Sequence, residues 1–523
     1  MEKIEKFLFK NIFWIILALS VPAVWALFVH GFYGASDDLH IAWLAQLDAT
    51  LRAGQFPPRF VPDLSFGFGY PLFNFVFPLP FYIGEIFHSI GLSFVDSVKA
   101  VFLLSVPLSG YFMYKFLKEH TSGWLAFAGA MVYIYTPYRS TDIYVRGAFG
   151  EALAFIFPPL IAWVITKISK EKNVKWIGVL GLGVAGLILS HNIMAYMFLP
   201  FLLLLSIIIG FKIRTFLGFL LGLLISIYFW LPAIVESALM KYDTVFNFID
   251  HFPTLRQLIT PFFGYGASVP GPYDGMSFFL GAINIVLIVF ALVFFKKLNK
   301  ILIWALGIIG ISVFMMNFRS TFVWNLVPLI PYFQFPWRFL SLTTFATSIL
   351  VLIFDKFKFG KYIGMTIVLG VIALNFSFFK PHDFLGRTDD YYMNRYIPVP
   401  VASSEYLKTG EEYLRLPKAT EKRPTAVSPD RYLSSSIILN LETPKTVDYY
   451  KYFFPGWKVW IDGREVRAYA GKPYGQVEFK VPAGKHEVKV AFRETLFRGI
   501  LDIISLISLI FVIVIIFRSD KKK

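Results

Sequence analysis

Along the chain, apolar runs of bilayer-crossing length alternate with short breaks rich in lysine and arginine. Runs at 12–30, 97–116, 122–137, 151–168, 176–190, 193–211, 215–235, 277–295, 301–316, 338–354, 362–379 and 499–517 each read as a membrane span, because a hydrocarbon core of about 30 Å asks for roughly 20 apolar residues of helix. One more apolar run, 71–92, is set aside. Pro71, Pro78 and Pro80 leave only 80–91 as unbroken helix, about 17 Å long, which suits a segment lying along the outer interface. After residue 380 the period changes. Val477, Phe479 and Val481 alternate with polar residues, as do Val488, Val490 and Phe492, the pattern of half-buried strands. Asp462-Gly463 and Pro482-Ala483-Gly484 read as the turns between such strands.

The expected architecture is therefore a polytopic α-helical membrane protein of about 12 spans with a β-sandwich near its C-terminus. Its predicted parts are a membrane domain over 1–379 with a large first outer loop at 30–96, a β-domain over 380–498, and a final span with a basic tail over 499–523.

Charge orients this body. With the N-terminus inside, the inner segments collect Lys3, Lys6 and Lys10, Lys115 and Lys118, the 167–175 cluster, Lys212 and Arg214, Lys296, Lys297 and Lys300, Lys356, Lys358 and Lys361, and the terminal Arg518 and Lys521–Lys523. The net charge of +16 is thus concentrated on one side, as the positive-inside rule requires of cytoplasmic loops. Both termini are expected in the cytoplasm of a plasma-membrane protein, with 30–96 and the β-domain outside. No cleaved leader is expected, since the first apolar run is long and Tyr33 spoils a small-residue cleavage site. The positive balance does not point to nucleic acid, because the charges form loop clusters and no single patch. The absence of cysteine excludes disulfides, thiolate metal sites and thiol nucleophiles.

The outer segments hold the unusual polar residues. Asp37 and Asp38 stand together just beyond the first span, with Ser36 placed to cap a helix and His40 one turn on. On a helix, positions 37 and 40 share a face, so a carboxylate and an imidazole would project together as a candidate acid/base pair. The run 38–53 reads as an amphipathic helix on the membrane, with Trp43, Leu44, Leu47 and Leu51 toward lipid. The aromatic residues of PLFNFVFPLPFY that follow read mainly as interfacial anchors. Arg139, Asp142, Arg146 and Glu151 fall within thirteen residues at a membrane edge, where Arg146 and Glu151 either pair or bind substrate. His191 marks an outer turn, and the loop 236–274 has the length and Gly/Pro punctuation of a cover. Arg338, between aromatics in QFPWRFL, reads either as a headgroup anchor or as a phosphate ligand.

There is no phosphate-binding loop, dinucleotide fingerprint, HExxH or GxSxG. What remains is an outer site beside the bilayer with acids and arginines, suited to a lipid-phosphate-linked donor. The arginines would hold the leaving phosphate while an aspartate takes a proton from an acceptor hydroxyl. A lipid or glycan transporter and a non-catalytic envelope scaffold are the other classes open. A transporter should place ionisable groups near mid-membrane, whereas the span interiors here are almost free of charge.

The stretch SDDLHIAWLAQLDATLRAGQFPPRFVPDLSFGFGYPLFNFVFPLPFY, with an acidic pair directly after the first span, resembles the GT-C superfamily of polyprenyl-phosphate-dependent membrane glycosyltransferases. More closely, it and YVRGAFGEALAF, LSHNIMA and FPWRFL resemble the 6-pyruvoyl-tetrahydropterin-synthase-related membrane protein family. YFFPGWKVWIDGREV with VPAGKHEVKVAFRE is similar to the YfhO-like membrane glycosyltransferases. The pterin label is discounted, because the eight histidines are scattered. The GT-C resemblance implies transfer of a sugar from a polyprenyl phosphate to an extracytoplasmic glycan, lipid or protein acceptor, with inversion. It puts the general base at Asp37 or Asp38, of which Asp37 is preferred for its relation to His40. Arg146 and Arg338 are then the first candidates for phosphate, followed by Arg59 and His191, with Glu151 beside them. Some members of the superfamily use a divalent metal; one acidic pair without further ligands nearby argues mildly against a dedicated site.

The chain's lack of cysteine gives this topology a clean test. A cysteine introduced at Ser36 should react with a membrane-impermeant maleimide in intact cells, and one at Asn173 only after permeabilisation. The opposite pattern would put the acidic pair in the cytosol.

Overall fold

The computed structural model describes residues 2–241, 248–397, 416–422, 424–430 and 432–520. Each predicted span falls on an apolar helix. Six helices are long and apolar enough to cross a membrane: Phe94–Lys118, Phe149–Lys170, Asn192–Gly210, Pro336–Lys356, Gly360–Phe378 and Leu496–Arg518. Two bent pairs bring the number to 8 if each is one span: Ile213–Ile225 with Ile227–Leu239 at 63°, and Lys300–Met315 with Phe318–Leu326 at 89°. The other four predicted spans are shorter apolar helices, Ile12–Phe28, Gly123–Tyr135, Lys175–Ser190 and Ala282–Val293. By length and composition this is a multi-pass membrane protein.

Burial separates the helices into centre and rim. In Pro336–Lys356, 94% of the most apolar window is inside the protein, against 22% in Leu496–Arg518. The first is therefore the central helix, and its small hydroxyl residues suit that place. Ser341, Thr343, Thr347 and Ser348 donate back to carbonyls three or four residues earlier, which satisfies the hydroxyls and lets neighbours approach closely. The last helix turns Ile503, Leu506, Ile507, Ile510 and Phe511 outward, as a lipid-facing helix should.

The first outer loop departs from the expected picture. A helix forms at His40–Arg52, but Trp43, Leu44 and Leu47 are buried against protein and do not face lipid. Leu79–Ser89 forms a second short helix, matching the excluded run. The aromatic stretch between them is core: Phe60, Phe68, Tyr70, Phe73 and Phe81 are all buried. Apolar area covered by protein and apolar area covered by lipid read alike in a sequence, and here the cover is the β-domain and the neighbouring helices.

Among the described residues that domain has seven strands in two antiparallel sheets: β1 (Ser434–Leu441), β2 (Lys445–Tyr452), β3 (Trp457–Ile461), β4 (Arg464–Val466), β5 (Tyr469–Ala470), β6 (Gln476–Val481) and β7 (Gly484–Phe492). The sheet orders are β1-β7-β3-β4 and β2-β6-β5. Val459, Val488 and Val490 of one sheet and Val477, Phe479 and Val481 of the other lie in the same apolar core. Asp462 and Gly463 close the β3–β4 hairpin with φ of 50° and 80°, the left-handed pair of a type I′ turn. Residues 398–415 of the predicted 380–498 segment, 242–247 of the 236–274 loop, and the terminal Lys521–Lys523 lie outside the described residues.

The β-domain is fastened to the first outer loop. The buried Lys451 donates to the carbonyls of Pro62 at 2.9 Å and Gly67 at 2.6 Å. The amides of Tyr452 and Ser428 donate to Phe68 and Phe66, both at 2.8 Å. Arg59 ties the same loop to the last helix. Its guanidinium reaches Asp502 at 2.8 Å, the Tyr228 carbonyl at 2.7 Å and Glu494 at 3.4 Å. Arg498 in turn bonds Glu236, which accepts from Asn74 at 2.7 Å.

Truncating a buried, paired arginine strands its partners and typically costs about 3–5 kcal/mol. Arg59→Ala should therefore lower the melting temperature of the detergent-solubilised protein, and so should Lys451→Met, which leaves two buried carbonyls unpaired at about 1–3 kcal/mol each. Equal melting of both variants and the wild type would show that these contacts contribute nothing.

Candidate active site

The site is built on an irregularity in the helical body. Helix Gly123–Tyr135 ends before Pro137, a single turn Pro137–Ser140 follows, and Thr141–Arg146 then forms a π-helical turn, a geometry often found at functional positions. This stacks Tyr138, Asp142 and Arg146 along one side. Arg146 Nη1 reaches Glu151 Oε2 at 2.7 Å, Asp142 Oδ1 at 2.9 Å and the Tyr138 hydroxyl at 3.3 Å. Tyr138 donates to Glu151 Oε1 at 2.5 Å, and the face of Trp337 lies 4.7 Å from the Arg146 guanidinium. Trp337 donates to Ser268 at 3.2 Å, so the loop 236–274 does back this wall.

The acidic pair is delivered by a second segment running alongside. The amides of Ser36 and Asp37 donate to the carbonyls of Val145 at 3.1 Å and Arg146 at 2.7 Å, and Tyr33 donates to Ile143 at 2.8 Å. Gly147 makes the approach possible. Its φ is +69°, and a Cβ there would stand 3.0 Å from that of Ala35.

Ser36 bonds Val145 and caps no helix. The helix begins at His40, so Asp37 lies in the preceding turn and does not share a helical face with it. His40 packs among the rings of Trp43, Phe81 and Phe149, with Nδ1 buried and unpartnered. Burial, reinforced by the Arg146 charge, holds it down at about 3, so it is a neutral imidazole and no proton partner for Asp37 at neutral pH. This corrects the acid/base pairing expected of the two.

Asp37 and Asp38 sit in different surroundings. Asp37 is half-buried, and its carboxylate has no hydrogen bond among the described residues. Burial raises its pKa, the charges of Arg146 and Arg338 oppose the rise, and Glu151 and Asp38 add to it. Asp38 is buried. It accepts from the Tyr396 hydroxyl and lies 3.6 Å from Arg387, and burial outweighs these partners to raise its pKa as well.

Arg338 completes the cluster. It is buried beneath Phe335 and Trp337, with a single long bond to Gln334 at 3.4 Å and an unpartnered Nε. His191 caps helix Asn192–Gly210 through Met194 and lies 5.0 Å from the Phe77 ring; burial lowers its pKa to about 3. Thus Asp37, Asp38, His40, Arg146, Glu151, His191 and Arg338 come together at one place. Arg59 does not, and its donors are engaged with the last helix as described above.

Four groups belong to the cluster without having been chosen as site residues. Asp142 is buried with an unpartnered Oδ2, and burial together with Glu151 raises its pKa well above the usual range. Tyr138 bridges Arg146 and Glu151. Spacing could have found both, since 138, 142 and 146 repeat at four residues. Arg387 and Tyr396 carry no such local signal. Among the described residues no group of three or more His, Asp or Glu side chains is arranged to hold a metal ion.

No family model matches the chain. Over 211 residues it is 29% identical to an uncharacterized protein of Lactococcus lactis subsp. cremoris, a match covering 39% of this chain and 34% of that protein. Among solved structures it is similar to the cryo-EM structure of arabinofuranosyltransferase AftD from Mycobacteria, at a TM-score of 0.44 and 13% identity over 76% of this chain and 29% of that one. The chain thus spans well under half the length of either protein.

The left-handed backbone at position 147 generates a test. Gly147→Val should part the two segments that carry Asp37 and Arg146. Faster hydrogen exchange of the Ser36 and Asp37 amides is expected, with the β-domain amides unchanged. Unchanged exchange at 36–37 would show that the close approach at Gly147 does not hold the segments together.

Proposed function

We propose that this chain is a GT-C-type membrane glycosyltransferase that moves a sugar from a polyprenyl-phosphate donor to an extracytoplasmic glycan, lipid or protein. The observation that carries the reading is a half-buried, unpaired carboxylate, Asp37, held in the field of two buried guanidiniums, Arg146 and Arg338, one of which has an unengaged N–H. In this reading the polyprenyl phosphate is held by Arg338 and Arg146. The acceptor oxygen forms the new bond at the anomeric carbon as the sugar–phosphate bond breaks, its proton passes to Asp37, and the anionic lipid phosphate leaves against the arginines. Attack from the face opposite the phosphate inverts the centre. Glu151 and Asp142 fix the guanidinium of Arg146, so that its charge is in place before the substrate arrives. His40 and His191 serve as neutral parts of the wall. A donor that diffuses in the bilayer needs no soluble nucleotide, and an outer site puts the acceptor in the cell envelope.

The test is glycan and glycolipid mass spectrometry on a deletion strain complemented with the wild type, Asp37→Asn, Asp38→Asn and Arg338→Ala. Asp37→Asn should lower the missing product by at least about 10²-fold at normal membrane levels, the usual contribution of a general base. A product restored in full by Asp37→Asn and lost in Asp38→Asn would move the base to Asp38, and full restoration by both would leave only a transporter or scaffold. Since Asp37 must be ionised to act and its pKa is raised, activity should fall with decreasing pH through a midpoint above the ordinary carboxylate value of about 4.

A further inference from the structure

The two carboxylates differ in what holds them, and the holder of Asp38 comes from the far end of the chain. The segment after span Gly360–Phe378 returns to the start of the first outer loop. Its backbone pairs there, the Phe32 amide donating to Arg387 at 2.8 Å and the Gly34 amide to Asp383 at 3.3 Å. Gly31 and Gly386 meet so closely that a Cβ on Gly31 would lie 2.4 Å from the Gly386 carbonyl carbon. Next comes the helix Asp389–Tyr396, which is pinned at both ends. At its start Asp389 accepts from the amides of Phe94 at 2.9 Å and Val95 at 2.8 Å, N–H groups that open helix Phe94–Lys118 and have no partner within it. At its end Tyr396 donates to Asp38. Arg387, 3.6 Å from the same carboxylate, is itself stacked 4.2 Å from the Tyr391 ring. Asp389 thus caps helix Phe94–Lys118.

Locally the turn 36–39 is held on this side by a long backbone bond, the Ile41 amide donating to the Asp38 carbonyl at 3.4 Å. Leu39 at the helix N-cap has no side-chain bond, and Ser36 is turned the other way toward Val145. The turn is held on one flank by the carbonyls of 145 and 146 and on the other by the Asp38 carboxylate. Asp37 lies between the two flanks.

We propose that Tyr396 and Arg387 are positioning residues of the transfer reaction: by gripping Asp38 they hold the 36–39 turn so that the carboxylate of Asp37 meets the acceptor hydroxyl. This rests on the reading of Asp37 as the base. It gives Asp38 a role different from that of its neighbour and makes helix Asp389–Tyr396 a part of the site. In this reading the donor phosphate lies against Arg146 and Arg338, so the loss of Tyr396 or Arg387 acts on turnover and leaves donor binding intact.

The experiment uses the full-length protein in nanodiscs, with Tyr396→Phe, Arg387→Ala, Arg387→Lys and, as the contrasting variant, Arg338→Ala. Three quantities are measured: hydrogen exchange of peptides covering 33–40, affinity for a short-chain polyprenyl phosphate, and product level in the complemented deletion strain. Tyr396→Phe and Arg387→Ala should speed exchange in 33–40 several-fold and lower product on the order of 10–100-fold, the penalty of a misplaced catalytic group. Polyprenyl phosphate affinity should stay within about twofold of the wild type, because a group that acts only on the chemical step leaves binding alone. Arg387→Lys should recover part of the loss. Arg338→Ala should instead weaken polyprenyl phosphate binding and leave exchange in 33–40 as it was. Wild-type exchange in Tyr396→Phe overturns the positioning role. Faster exchange with wild-type product level shows a merely structural contact. Faster exchange where Asp37→Asn retains full product overturns the reading of Asp37 as the base, and with it the positioning role, while the grip on the turn stands.

Discussion

A guanidinium withdrawn from water has to find carboxylates, and much of this molecule is arranged around that requirement. Arg146 is enclosed in an apolar body, so Asp142, Glu151 and Tyr138 must all reach it. Tyr138 and Asp142 reach it from the same short segment, in which the turn Pro137–Ser140 runs into the π-turn at 141–146. Ending that turn with a left-handed glycine brings the chain alongside 35–37. The position of the acidic pair is thus a consequence of how one buried charge is satisfied.

The same logic repeats at Arg59 and Arg498. Each is buried and each bridges elements distant in sequence, joining the first loop, the bent pair near Glu236 and the last helix. Together with Lys451 they make the β-domain a lid bolted to the first loop, which explains why the aromatic residues between 60 and 81 pack as core.

Much of this was legible in the residue pattern. Each of the twelve apolar runs lies on a helix, and the run broken by three prolines forms the single turn Leu72–Phe75 and the short helix Leu79–Ser89. Residues 477–481 and 488–492 are strands with the expected inward faces. The candidate residues of YVRGAFGE, LSHN and FPWRF meet at one mouth because each stands where an apolar run stops, and such ends gather at a membrane surface. Two kinds of feature were not legible. Burial by protein and burial by lipid select the same side chains, so Trp43, Leu44 and Leu47 were assigned to the bilayer. Contacts across long separations leave no local trace, and Tyr396 meets Asp38 from 358 residues away. His40 illustrates a third case, in which a spacing that suits a helix was applied to a turn.

The ion pair between Arg59 and Asp502 spans 443 positions, and this separation has a price in time during synthesis. At about 5–20 residues per second, the first loop is made on the order of tens of seconds before its last partner leaves the ribosome. Through that interval Arg59 lacks Asp502 and Glu494, and Phe60 and Phe68 lack the β-domain rings that cover them. The nascent protein therefore holds an uncovered apolar surface until its final helix is made. A chain cut short before that helix keeps this surface open for good, which makes it a natural substrate for chaperones and proteases.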